Sequence, residues 1–335
     1  HRQLIMMVTR GCQLDCVYCG FDRTRPSMSS ETLHAAIDLL MTAREKEVKL
    51  QLFGGEPLLR MDLVRQALDY GTAAAAKAGK TIAFLVTTNT MSVTDELRAE
   101  LDARKVVWIL SFDGGADAQD EQRPLRAGGS KYGSALEQIV RIAKSGAPYL
   151  VNMTVSAERA HVVGENAWLL FSAGVHSLSV SYRMGDRWPA EPAKAYFESL
   201  TRFLRRVRRE GQELSMLNVV GRDEPNIISQ MPTIDCDGTI YVGARMPSLE
   251  RHMPTLAPVM RRGNVTDIKD FESIRSSREA VQKLALAAAR GTPDEGPLLD
   301  AFRMGKRSQT FFDRMVDLGM LKAAGRRPPG EAVHA

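Results

Sequence analysis

The first half of the chain alternates short apolar runs with longer stretches in which apolar residues recur at helical spacing. Strands are predicted at residues 4–8, 48–53, 82–87, 106–112, 149–155 and 177–182. Helices are predicted at residues 30–44, 61–78, 95–103, 132–143 and 166–173. Such β-then-α units in series predict a parallel sheet with crossover helices, arranged either as an open doubly wound sheet or as a full or partial barrel.

The pattern changes after Arg187-Trp188-Pro189. A long helix is predicted at 193–209, followed by a hairpin at 233–242 that turns at Asp237-Gly238. Further helices are predicted at 270–288 and 298–321. We therefore expect an α/β domain over residues 1–188, a smaller α+β extension over 189–325 and a loose tail over 326–335.

The unusual residues of the first half follow directly after predicted strands. They form four segments: a cysteine-rich loop, Gly54-Gly55-Glu56-Pro57, Thr88-Asn89 and residues 111–114. Because functional loops lie at the carboxyl ends of parallel strands, these segments are predicted to form one composite site.

The cysteines are few and clustered. Three of the four lie in Cys12-Gln-Leu-Asp-Cys16-Val-Tyr-Cys19, which indicates a reducing compartment and a metal rather than a disulfide framework. Three thiolates on one short loop can hold a compact iron–sulfur cluster and leave one iron without a protein ligand. A zinc site or buried free thiols are the alternatives.

This cysteine spacing, with an aromatic residue before the last cysteine, resembles that of the radical S-adenosylmethionine (AdoMet) superfamily. The later segments resemble its motifs in the same order: Gly54-Gly55-Glu56-Pro57, Thr88-Asn89 and Ser111-Phe112-Asp113-Gly114. The resemblance implies a partial (β/α)6 TIM-like barrel, one [4Fe-4S] cluster on Cys12, Cys16 and Cys19, and AdoMet bound at the open iron. It also implies reductive cleavage of AdoMet to a 5′-deoxyadenosyl radical that abstracts hydrogen, with an external flavodoxin- or ferredoxin-type reductant.

The resemblance implies AdoMet contacts from all four segments. The candidates are Tyr18, Gly54, Gly55, Glu56, Asn89, Ser111 and Asp113. The glycines would let backbone approach the methionyl group, and Glu56 or nearby carbonyls would accept from its ammonium. Asn89 and Ser111 would contact ribose hydroxyls or the carboxylate, and Tyr18 would lie near adenine. Ordinary strand-end hydrogen bonds are the alternative for Asn89, Ser111 and Asp113.

The hairpin at 233–242 resembles part of the C-terminal (SPASM/twitch-like) extension of the peptide-modifying branch. The cysteines that would hold auxiliary clusters are missing there, so we expect no auxiliary cluster. Cys236 could be a buried structural thiol, a hydrogen-atom donor or a remnant ligand. Asp235 and Asp237 could act as a base, although hairpin turns commonly use Asp for local hydrogen bonds.

Charge and hydropathy narrow the function classes. The net charge is +5. The densest basic cluster lies within residues 202–209 and predicts either the solvent-exposed face of an amphipathic helix or a patch that binds an acidic partner. We find no membrane-length apolar run and no secretory signal pattern, so we expect a cytoplasmic protein without membrane or nucleic-acid partners. The leading hypothesis is an enzyme that epimerises or cross-links, through a carbon–carbon, thioether or ether bond, a ribosomal precursor peptide. A small-molecule substrate, such as a sugar or nucleotide, and a non-catalytic iron–sulfur protein are the alternatives.

Overall fold

The computed structural model describes residues 2–23, 26–220 and 228–322. The tail predicted at 326–335 lies outside these residues. The strands are β1 Arg2–Thr9, β2 Glu47–Gly54, β3 Thr81–Thr88, β4 Val107–Ser111, β5 Tyr149–Val155, β6 Ser177–Tyr182, β7 Ser215–Met216, β8 Pro232–Ile234, β9 Thr239–Val242 and β10 Arg261–Asn264.

The helices alternate with the strands through β6 and dominate the end of the chain. They are α1 Ser30–Met41, α2 Met61–Lys77, α3 Asp95–Ala103, α4 Ala116–Gln122, α5 Tyr132–Lys144, α6 Val163–Ser172, α7 Ala190–Glu210, α8 Leu217–Val220, α9 Leu256–Met260, α10 Arg278–Ala289 and α11 Glu295–Asp317. Short 3₁₀ helices occupy Pro57–Arg60, Ala157–Val162, Met246–Leu249 and Phe271–Ile274. None of these described helices is long and apolar enough to cross a membrane.

The ten described strands form one sheet in the order β10-β9-β8-β1-β2-β3-β4-β5-β6-β7. Strands β1 to β6 are parallel and follow one another in chain order. The predicted partial (β/α)6 barrel is thereby confirmed. Because helices cover the outer face and side chains fill the inner one, strands such as β1 are buried on both faces from Leu4 to Thr9.

The extension continues the barrel sheet. Strand β8 pairs in parallel with β1, through Ile5 opposite Thr233, and β9 and β10 follow antiparallel. The predicted hairpin is confirmed, and its turn uses Gly238 at φ +82°, a left-handed conformation that favours glycine. Helix α7 packs against α6, where Gly164 lets the Ser199 backbone approach closely. The domain boundary at residue 188 stays a prediction.

The local structure differs from the sequence prediction in several places, of which two have a clear physical reason. The helix predicted over 270–288 is divided, because Ser277 caps a new helix by accepting from the Ala280 amide at 3.1 Å. Helix α4 was not predicted, since its seven mostly polar residues carry no apolar period. It is held instead by Gln119, whose side chain accepts from the Asp113 amide at 2.9 Å.

Candidate cluster and cofactor site

A cavity of about 210 Å³ opens at the carboxyl ends of the barrel strands. Its wall contains most of the residues that sequence singled out: Cys12, Cys16, Tyr18, Cys19, Gly54, Gly55, Asn89 and Ser111. Four further candidates, Glu56, Asp113, Asp235 and Cys236, are buried behind the wall. The predicted composite site is therefore two layers, one facing the cavity and one supporting it.

The cysteine loop is held by the segment that follows α4. Leu14 forms an isolated bridge with Leu125, and the Asp15 amide donates to the Pro124 carbonyl at 2.8 Å. The Val17 amide donates at 3.0 Å to the carbonyl of Gln122, the last residue of α4. A tight turn closes the loop, with the Cys19 amide donating to the Cys16 carbonyl at 2.9 Å. These backbone hydrogen bonds fix the shape of the loop.

All three loop cysteines are free thiols. Burial raises the pKa of Cys16 to about 12, although nearby Arg123 opposes the shift, and burial also raises the pKa of Cys12. The Asn89 side-chain amide lies 3.6 Å from the Cys12 sulfur and can donate to it. Desolvated thiols ionise when a metal compensates their charge, so the donor set fits an iron–sulfur cluster ligated by three thiolates. Within the described ranges, no group of three His, Cys, Asp or Glu is arranged for a single metal ion.

Gly54 and Gly55 line the cavity, but their missing side chains face the cysteine loop. A Cβ on Gly55 would lie 2.6 Å from the Arg10 carbonyl oxygen, and one on Gly54, at φ +140°, would overlap Thr9. The Gly55 amide donates to Thr9 at 2.8 Å. The two glycines therefore fix the base of the cysteine loop, a constraint that the sequence interpretation did not include.

Glu56 is fully buried and joins two of the loops. Its carboxylate accepts from the amides of Leu58 at 3.1 Å and Asn89 at 2.7 Å. Burial raises its pKa to about 7, although these hydrogen bonds favour the charged form. The carboxylate thus positions Asn89, and direct contact with an AdoMet ammonium stays a prediction.

Asp113 is also buried and organises two residues of the wall. It forms a bidentate ion pair with Arg123 at 2.8 and 2.9 Å and accepts from the Tyr18 hydroxyl at 2.8 Å. The Arg123 guanidinium lies 5.3 Å from the centre of the Tyr18 ring. Asp113 acts on the cavity through these two side chains.

The structure does not bring Asp235 and Cys236 to the cavity. Asp235 is fully buried and accepts from Arg10, which also pairs with Glu250 at 2.8 Å. The Cys236 thiol donates to the Met7 carbonyl at 3.1 Å, and burial raises its pKa to about 12. Of the alternatives left open for Cys236, these contacts favour a buried structural thiol.

Sequence reasoning missed several wall residues. The missed residues are polar side chains from β3, from β5, from β6 and the residue after it, and from the extension: Thr87, Asn152, Thr154, Ser181, Arg183, Arg245 and Ser248. Asn152 and Thr154 alternate with buried apolar residues of β5, so period-two alternation could have identified them. No comparable signal marks Arg245.

The fold and this thiol-lined cavity define a partial (β/α)6 barrel with a metal and cofactor site at its carboxyl end. Residues 6–157 match the family model of the Radical SAM superfamily. These residues therefore resemble a radical SAM domain, and members of that family use a [4Fe-4S] cluster and AdoMet.

One curated relative and several solved structures are similar to the chain. The uncharacterized protein MJ0907 of Methanocaldococcus jannaschii is 25% identical over 179 residues, which span 53% of this chain and only 61% of that protein. Native anSMEcpe with bound AdoMet and Kp18Cys peptide is 14% identical, with a TM-score of 0.75 over 95% of this chain and 99% of that chain. Streptococcus suis SuiB bound to precursor peptide SuiA is 13% identical, with a TM-score of 0.58 over 82% of this chain and 64% of that chain. At these identities, the structural likeness establishes the fold.

Proposed function

We propose that this enzyme cleaves AdoMet reductively and removes a hydrogen atom from a ribosomally made precursor peptide. The observation that carries the proposal is the convergence of three free thiols and the polar ends of β3 to β6 on one cavity. When bound, the cluster and AdoMet supply a 5′-deoxyadenosyl radical that can attack an unactivated C–H bond.

The wall residues would hold the two cofactors at adjacent places. Cys12, Cys16 and Cys19 would ligate the cluster, and Asn89 would stabilise the Cys12 thiolate by donating to it. The polar side chains of the later strands would bind AdoMet through its hydroxyl and carboxylate oxygens, with Ser111 among them.

Apolar residues and a partly exposed loop complete the proposed site. Phe21, Phe53 and Leu249 line the cavity and would exclude water from the reacting atoms. The external reductant would be of the flavodoxin or ferredoxin type. It would approach the cysteine loop from outside, where Val17 is 45% exposed.

The peptide substrate is supported by the structural neighbours. Two of them were crystallised with peptides, and the likeness to anSMEcpe extends through the extension to 95% of this chain. We assign the extension to the SPASM/twitch-like type, without an auxiliary cluster because it contains Cys236 alone. The product of the enzyme would be a peptide with an epimerised residue or with a carbon–carbon, thioether or ether cross-link.

The test compares cluster loading and AdoMet cleavage in three proteins. Wild type, Cys16→Ala and Cys236→Ala are reconstituted anaerobically with iron and sulfide, reduced with dithionite and supplied with AdoMet. We expect about four irons per chain and 5′-deoxyadenosine from wild type. Cys16→Ala should lose both, whereas Cys236→Ala should keep the iron, because its thiol is buried away from the cavity.

Substrate class is tested in the same assay. A short peptide encoded beside this gene should increase 5′-deoxyadenosine and gain a mass change or a D-residue, while sugars and nucleotides should do neither. A fully loaded wild-type cluster that yields no 5′-deoxyadenosine with or without peptide would contradict the proposal. A response to a sugar or nucleotide alone would refute the peptide assignment.

A further inference from the structure

The cavity wall carries uncompensated positive charge. Three arginines line it, Arg123, Arg183 and Arg245, and no carboxylate is among the described residues of the wall. Two of them are neutralised from behind: Arg123 pairs with Asp113 at 2.8 Å and Arg183 with Asp186 at 3.1 Å. Arg245 is the exception.

The Arg245 guanidinium has no ion pair and no hydrogen-bond partner among the described residues. The central carbon of this guanidinium lies 5.7 Å from the centre of the Phe53 ring. Burial lowers the pKa of Arg245, in keeping with a cavity lining that has no carboxylate among its described residues. A cavity-lining guanidinium without a counterion from the protein is suited to bind an anion that enters the cavity.

The backbone directs this side chain at a conformational cost. Arg245 has φ +59° and ψ +28°, the left-handed region that residues with a Cβ rarely adopt. Its amide donates to the Thr233 hydroxyl at 2.9 Å, and its carbonyl accepts from the Ser248 hydroxyl at 2.8 Å. Strained backbone of this kind clusters where a ligand is held.

We propose that Arg245 binds a carboxylate of the substrate, an inference that rests on the proposed function and specifies its substrate. The planar guanidinium matches a carboxylate in two parallel hydrogen bonds. Arg245 lies in the extension, beside Ser248 and Leu249 of the same wall, whereas the proposed AdoMet contacts come from the barrel strands. The carboxylate would be a peptide C-terminus or an acidic side chain close to the residue that is modified.

The test uses two pairs of small probes that differ in one charge. N-acetylglycine and N-acetylglycinamide represent a peptide C-terminus, and N-acetylaspartate N-methylamide and its asparagine counterpart represent a side chain. Tm is measured on anaerobically reconstituted protein at constant ionic strength. For wild type we expect a saturable rise in Tm with a carboxylate probe and no rise with the matching amide. The carboxylate probe that raises Tm shows whether Arg245 binds a peptide C-terminus or an acidic side chain.

Variants locate the effect. Arg245→Met should abolish the rise and Arg245→Lys should keep part of it. Arg205→Met, which removes an exposed arginine of α7, should leave it unchanged. The affinity for AdoMet, measured by equilibrium dialysis, should change less than about threefold in Arg245→Met.

Two results would overturn the inference. One is equal behaviour of carboxylate and amide probes with wild type. The other is a loss of AdoMet affinity of about tenfold or more in Arg245→Met, which would assign Arg245 to the cofactor. Both readouts measure binding, so a protein that makes no 5′-deoxyadenosine would contradict the proposed function without altering the result for Arg245.

Discussion

The buried ion pair between Asp113 and Arg123 supports the cavity wall, and its burial determines the effect of removing one partner. The side chains are 0% and 7% exposed and make two hydrogen bonds of 2.8 and 2.9 Å. Asp113 also accepts from the Tyr18 hydroxyl and from the Thr154 amide, each at 2.8 Å. Asp113→Asn would leave the Arg123 charge buried without a counterion and place an amide where four donors converge.

The expected loss is large because the Arg123 guanidinium that remains is only 7% exposed and would have little access to water. Breaking a buried pair by removing one partner typically costs about 3–5 kcal/mol of the free energy of unfolding. The chain contains a control of the same geometry: Arg65 and Glu100 also form a bidentate pair, with both distances at 2.8 Å, but are 50% and 28% exposed. Glu100→Gln should cost less than about 1 kcal/mol, since water replaces the lost partner.

Urea unfolding of the reduced, metal-free protein measures both losses on one scale. Asp113→Asn should shift the midpoint several times further than Glu100→Gln, and the double variant Asp113→Asn/Arg123→Met should recover part of the difference. After reconstitution, Asp113→Asn should also weaken AdoMet binding, because Tyr18 and Arg123 would lose the carboxylate to which both side chains donate hydrogen bonds. Equal costs for the buried and exposed variants would refute the reasoning that burial sets the strength of this network.

Three further predictions concern the supporting layer. Gly55→Ala places a Cβ 2.6 Å from a backbone carbonyl oxygen and should lower iron per chain, whereas Gly133→Ala, with no atom within 4 Å, should load normally. Glu56 has its pKa raised by burial from 4.5 to about 7, so the folded protein holds a proton that the unfolded chain releases, and wild-type stability should fall as pH rises through that window. Glu56→Gln cannot ionise, so its unfolding free energy relative to wild type should rise by up to about 3 kcal/mol between pH 4 and 8, and a pH-independent difference would contradict this. Arg10→Met leaves Asp235 buried without its cation, so hydrogen exchange of the 233–242 hairpin should become faster, and unchanged exchange would show that the pair does not hold the hairpin.

The barrel and the cavity-facing layer could be predicted because their signals are local. Strands β5 and β6 and helix α3 have the predicted bounds, since period-two and period-3.6 patterns there are uninterrupted. The site loops could be grouped in advance because parallel strands place all their carboxyl ends at one edge. The three loop cysteines could be singled out as candidate metal ligands from their spacing along the chain.

The supporting layer could not be predicted, because its contacts join residues far apart in sequence. Arg10 meets Asp235 across 225 positions, and Glu56 meets the Asn89 amide across 33. Sequence shows that Glu56 and Asp113 follow strands, but not whether their side chains point into the cavity or behind it. That choice is set by loop geometry, and here both carboxylates point behind it.

Long-range contacts of this kind also join the extension to the cysteine loop. The buried Arg10 side chain, two residues before Cys12, pairs with Asp235 of the hairpin and with Glu250. At the other end of the cysteine loop, the Gly20 amide donates to the Ser248 carbonyl at 2.9 Å, and a Cβ on Gly20 would meet that oxygen at 2.7 Å. Both ends of the loop are therefore fixed by the extension, while its middle is fixed by the segment after α4. The extension thus shapes the cysteine loop, and substitutions in the hairpin should lower the iron bound per chain after reconstitution.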